Sequence, residues 1–215
     1  MGYLNAGILL ERPGPDAARK SGAGMSFFES IREPEIREIF RYWVHRRYAA
    51  EVPAWHSISP ADIAAKLLPN LFLYRLETDG RFRCKLIGTE LCRVFGANET
   101  GRCLDAILPP GVARHRAGLF QHVLDTVRPI YYRGLAATQP GELRRYSRIL
   151  MPLASSGHTA NLVFGMALFG PLEELANTVE AESIYANPVQ ILYATEQDLN
   201  APETGDLMDS GKATA

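Results

Sequence analysis

The chain has 215 residues, of which 47 % are hydrophobic and 22 % charged, and its formal net charge is −1. That balance suits one globular domain with extra segments. It gives no electrostatic pull toward nucleic acid or anionic lipid, and no apolar run approaches the ~20 residues that span a bilayer. Residues 7–10 are too short for the apolar core of a secretory leader. Ala6 stands where an acylation signal after Met1-Gly2 needs Ser or Thr. The expectation is a cytoplasmic protein with no nucleic-acid and no membrane partner. Cys84, Cys92 and Cys103 are odd in number and lack the C-x-x-C spacing, so they read as buried thiols and not as a zinc site or disulfide framework.

Residues 1–32 carry glycines, prolines and scattered charges without apolar periodicity, which predicts a flexible tail. Over residues 35–47 the side chains Ile36, Ile39, Phe40, Trp43 and Val44 recur at helical spacing, one apolar stripe beside a polar face with Glu38, Arg41 and His45. Such a helix must pack on its own domain or on a second copy, and a homodimer is the expectation drawn from it. Ser59-Pro60-Ala61-Asp62 reads as a capped start to a short helix ending at Leu67, before Pro69.

Two strands follow, 71–76 and 82–87, around an Asp79-Gly80 turn. Short helical pieces come next near 89–94 and 103–107. Pro109-Pro110-Gly111 opens a longer helix to about Val127, stopped by Pro129. Three β-like runs, 130–136, 144–153 and 161–169, complete the core, the last two joined by the loop 154–157. Pro171 to Glu182 offers Leu172, Leu175 and Val179 at helical spacing, and residues 196–215 are acidic and rich in small residues. The division expected is a tail (1–32), one domain (33–170) and a partly helical, then disordered, extension (171–215). Helices inserted into an antiparallel meander give an α+β fold: a five-stranded antiparallel sheet with helices on one face, plus the N-terminal amphipathic helix.

Particular stretches sharpen this order. Val52-Pro53, Ser59-Pro60-Ala61-Asp62-Ile63, Leu67-Leu68-Pro69-Asn70-Leu71, Leu86-Ile87-Gly88-Thr89-Glu90-Leu91, Thr100-Gly101-Arg102, Leu104-Asp105, Arg128-Pro129 and Leu150-Met151-Pro152-Leu153 together resemble a bacterial subfamily of stand-alone PAS domains over roughly residues 36–169. The resemblance implies a PAS fold, a role in signal transduction with a signalling protein partner, and a core pocket for a small molecule. It implies no particular ligand.

The chemistry-bearing residues narrow the choice. A light-sensing flavin site needs an Asn-Cys-Arg motif, whereas this chain has Gly101-Arg102-Cys103-Leu104. A haem site needs a histidine facing the pocket from the long helix, and His115 and His122 sit about 110–130° from the centre of its apolar stripe. The cofactor therefore stays unknown, and no metal site is expected. Arg116 falls inside that stripe, between Val112 and Leu119, where a cation requires a carboxylate or an anionic ligand. The candidate pocket lining is Phe95, Leu104, Arg116, Phe120, Tyr132 and Met151. Tyr146, Arg145 and Arg148 read as the polar face of a strand. With no phosphate loop, nucleophile elbow or metalloprotease motif, the reading is a binding module. A ligand-free interaction adaptor and a small cone-shaped α+β enzyme are the alternatives.

Overall fold

The antiparallel pair β1 (Leu71–Leu76) and β2 (Phe82–Ile87) forms at the bounds its alternation predicts, because Gly80 takes the left-handed conformation (φ 79°) that the turn requires. The structure, a computed structural model, describes residues 26–47, 51–139, 142–173 and 190–200. After β2 the chain makes α3 (Thr89–Phe95), α4 (Leu104–Ile107) and α5 (Pro110–Thr126), then β3 (Ile130–Gln139), β4 (Glu142–Leu153) and β5 (Leu162–Glu173). A sixth strand, β6 (Gln190–Tyr193), adds to the free side of β3, so the sheet order is β2-β1-β5-β4-β3-β6. The expected five strands are present, and the extra one comes from the C-terminal extension.

Strand alternation gives the sheet two buried faces. Phe72, Tyr74, Ile130, Tyr132, Leu150, Val163 and Ala167 form the inner face, packed under α3, α4 and α5 with Leu91, Leu104, Leu119, Phe120 and Val123. Leu71, Leu73, Tyr131, Ile149, Met151, Phe164 and Met166 form the outer face. The outer face is covered by α2 (Pro34–Arg46), whose stripe Ile36, Ile39, Phe40 and Trp43 is almost wholly buried. Trp43 donates its indole N–H to the Pro152 carbonyl at 2.9 Å. Each such side chain contributes about 1.5–3 kcal/mol by leaving water. The helix thus spends its apolar stripe on its own sheet, which removes the feature from which a homodimer was expected.

Other boundaries also move. Residues 26–32, read from sequence as part of a tail, hold α1 (Phe27–Ser30), opened by a reciprocal cap in which Glu29 N–H donates to Ser26 Oγ at 3.2 Å and Ser26 N–H to Glu29 Oε2 at 2.8 Å. Phe27 and Ile31 join the outer core, and the Phe27 N–H donates to Asp198 Oδ1 at 2.8 Å. Asp198 lies in α6 (Glu196–Asn200), where flexible chain was expected. Residues 171–173 continue β5 instead of opening a helix, because β4 extends far enough to pair Leu172 with Arg144; the remainder of that expected helix, 174–182, lies outside the described residues. The short helix expected after Ser59 is a single 3-10 turn, Pro60–Asp62. Ser59 makes no capping bond there, and the Asp62 carboxylate pairs with Arg46. No described helix is long and apolar enough to cross a membrane.

Candidate functional site

The inner core contains charge. Arg148, on β4, is 5 % exposed and points between the sheet and α5. Its guanidinium carbon lies 5.4 Å from the ring centre of Tyr146, 5.6 Å from Phe72 and 5.8 Å from Tyr132, an aromatic enclosure that favours a cation. Nη1 donates to the Tyr132 hydroxyl at 3.2 Å, while Nε is buried with no hydrogen-bond partner among the described residues. Phe72 can reach under Arg148 because Gly165 faces it from β5. A Cβ at residue 165 would lie 2.4 Å from the Phe72 ring and 2.4 Å from the Ile149 carbonyl oxygen.

Around Arg148 lies a void of about 20 Å³, bordered by Phe72, Tyr74, Ile87, Leu91, Phe95, Glu99, Arg116, Phe120 and Arg148. It matches the share of space of roughly one water molecule. Arg116 enters from α5, half-buried, close enough to Arg148 to feel its charge. Burial first, and then Arg148, weakens its hold on its proton, though a guanidinium stays charged at any physiological pH. Glu99, 7 % exposed, is the carboxylate on the void, and the Tyr74 hydroxyl approaches it at 3.5 Å. Burial raises the Glu99 pKa above its ordinary value, with Arg116, Arg102 and Arg148 pulling the other way. Burial likewise pushes the Tyr74 phenol upward and the Cys84 thiol up to about 11, so both stay protonated.

Of the residues expected to line a pocket, Phe95, Arg116 and Phe120 do border the void. Tyr132 stands one layer behind it as the acceptor from Arg148, and Leu104 belongs to the same cluster without reaching the void. Met151 faces the opposite way, into the outer core beside α2, because residues one apart on a strand alternate faces. The same alternation corrects the polar-face reading of β4: Tyr146 and Arg148 point inward with Leu150, and Arg145 is exposed. Arg148, Glu99, Tyr74 and Phe72 were missed as site residues. A signal for Arg148 exists, since it is two residues from inward Leu150 and four from Pro152.

His122 packs edge-on against Tyr193 at 5.0 Å, and His115 is half-buried beside Arg116. Neither borders the void. Cys103 is buried at the start of α4. No cluster of three metal-ligating side chains occurs among the described residues.

A second concavity, of about 530 Å³, opens on the outer face beyond the start of α2. Arg32, Arg133 and Arg145 border it, with Leu135 and Leu168. Glu33 sits among them, its carboxylate accepting from Ser147 Oγ at 2.6 Å and from the Tyr131 hydroxyl at 2.8 Å.

An antiparallel sheet whose one face is roofed by a run of short helices and one long helix, with a small charged void between them, is an α+β architecture. The chain belongs to the PAS domain family, whose model matches residues 31–168. That match takes in α2 and stops before β6. PAS domains are in general sensory or signalling modules and typically not enzymes. Among solved structures the chain is similar to an RNA-binding light-oxygen-voltage receptor, at 24 % identity and a TM-score of 0.32, over 46 % of this chain and 29 % of that one. The chain thus spans less than a third of that receptor's length. No curated protein matches it.

Proposed function

We propose that the chain is a sensory or regulatory module, not an enzyme, whose inner pocket takes a small molecule and whose occupancy alters its dealings with a signalling partner. The observation that carries this reading is Arg148, a charge buried in the core and facing a void, with no ion-pair partner among the described residues. Burying a charge without an ion pair costs free energy, of which the aromatic enclosure and the Tyr132 hydroxyl return a part. The charged lining therefore favours a pocket that binds something polar. The unit that does this is residues 26–173 with the β6 strand laid alongside.

The test is native mass spectrometry of freshly purified protein, followed by thermal unfolding with small-molecule panels. A retained small molecule, or a ligand whose stabilisation disappears in Arg148→Met, supports the sensor reading. A clean apo mass with no stabilising ligand overturns it. A second reading, an adaptor that works through protein contact alone, is favoured by the outer concavity, where Arg32, Arg133 and Arg145 offer a cationic rim to an acidic partner surface.

A further inference from the structure

Resting on that reading of the inner pocket, we infer that its ligand is a small carboxylic acid bound as the anion between Arg116 and Arg148, and that Glu99 is an internal competitor that must give up its charge as the ligand enters.

The argument begins with the charge count. Arg116 and Arg148 both border the void, and Glu99 is the carboxylate that borders it with them. Neither arginine has an ion pair with a described residue, and the Nε of Arg148 is buried without a hydrogen bond among the described residues. Two guanidiniums against one carboxylate leave a net positive site, and guanidinium forks match the planar two-oxygen geometry of a carboxylate. The Tyr74 hydroxyl adds a donor that stays protonated because burial holds its proton. The apolar part of the lining, Ile87, Leu91, Phe95 and Phe120, offers a short hydrocarbon tail a place away from water.

Size restricts the class. A void of about 20 Å³ is far below the ~300–1,000 Å³ of drug-sized sites. As it stands it has room for roughly one water molecule, so even a carboxylate head group with a few carbons enters only as Phe95, half-buried at the end of α3 beside Gly96, moves aside. A polyphosphate or a nucleotide has no place in it.

Glu99 makes the binding depend on protons. The groups that face it are Tyr74 from β1, Cys84 from β2, Arg102 from the loop before α4, Arg116 from α5 and Arg148 from β4. Tyr74 and Cys84 remain neutral and the arginines charged across the ordinary pH range, so Glu99 is the facing group that changes state. A second anion beside ionised Glu99 is repelled by it and shares the field of the same cations, whereas a protonated Glu99 leaves that field to the ligand. Ligand affinity therefore rises as pH falls from neutral, until the ligand's own carboxyl gains its proton. His115, next to Arg116, is held below its ordinary pKa by burial and by that arginine, and it supplies the control.

The experiment is calorimetric titration of the full chain with formate, acetate and butyrate, and with acetamide and butyramide as neutral counterparts, at a series of pH values. The expected result is binding of the acids and none of the amides. Arg148→Met and Arg116→Met should each lose about tenfold or more in affinity, with Arg148→Lys between wild type and Arg148→Met because it keeps the charge but not the fork. Glu99→Gln should bind the acids more tightly at neutral pH and lose the pH dependence, while His115→Gln should keep it. Circular dichroism and unfolding curves identify any variant that fails to fold, and Arg148→Lys keeps the test alive if Arg148→Met does. Amides binding as well as acids, or weaker binding by Glu99→Gln, overturns the inference. A neutral molecule found in the pocket by mass spectrometry would sink the acid and leave the small-molecule reading standing. Failure of every compound, together with a clean apo mass, would sink both.

Discussion

The two faces of the one sheet are built on opposite principles. On β4 the outward residues Ile149, Met151 and Leu153 meet α2 in an apolar layer fastened by Trp43. Their inward neighbours on the same strand include Arg148, set among Phe72, Tyr132 and Tyr146 with Glu99 across a small void. The outer layer gains stability from nearly every atom it buries. The inner layer gives some of that back by burying charge.

The largest expected effect lies on the outer face. Trp43→Ala removes a fully buried indole and its hydrogen bond, and urea unfolding should show a loss of ~3–5 kcal/mol. Retention of wild-type stability would mean that α2 is a removable cover. Next comes the position where the two faces touch through the backbone. Gly165→Ala drives a methyl into the Phe72 ring and the Ile149 carbonyl, costing ~1–3 kcal/mol. Because Phe72 lies under Arg148, it should also weaken ligand binding, which titration of the folded variant would reveal. On the inner face the sign reverses. Arg148→Met replaces a desolvated cation by an apolar chain of similar length, so thermal unfolding should find stability unchanged or raised by up to about 2 kcal/mol. A loss as large as that of Trp43→Ala would erase the distinction between the faces.

The smallest effect is a pH dependence. The carboxyl pKa of Glu99 is raised in the folded state above its ordinary 4.5. Between the two values the folded chain holds a proton that the unfolded chain has lost, so stability falls as pH rises through that window. Glu99→Gln lacks this loss. Its melting temperature relative to wild type should therefore climb as pH rises above the ordinary 4.5 and level off once Glu99 has ionised in the folded chain, and a flat difference would remove Glu99 from the buried network.

Much of the fold could be read from the residues because its signals are local. The stripe of residues 35–47, the Asp79-Gly80 turn and the proline-bounded helix 110–126 each declare themselves within a few positions. The family resemblance then supplied an order consistent with these parts. The site was harder. Arg116 stood out because a cation interrupts the apolar stripe of a helix. Arg148 did not, because both faces of β4 are buried and the run Ile149-Leu150-Met151 is apolar on each side, which hides the period of two. The same ambiguity placed Met151 in the pocket when it belongs to the outer core. β6 escaped notice because four residues carry too little alternation to announce a strand, and α1 because its one turn is held by a cap and by a partner about 170 positions away.

That distant partner sets an order of events during synthesis. The backbone N–H of Phe27 is held by Asp198, and Leu199 and Ala194 pack in the same cluster as Phe27 and Ile31. On the ribosome, where the N-terminal part emerges first, the sheet from β1 to β5 can assemble with α2 on its back while α1 still lacks its acceptor. The N-terminal turn locks only when residue 198 has left the exit tunnel, so this contact closes the folding sequence and does not start it.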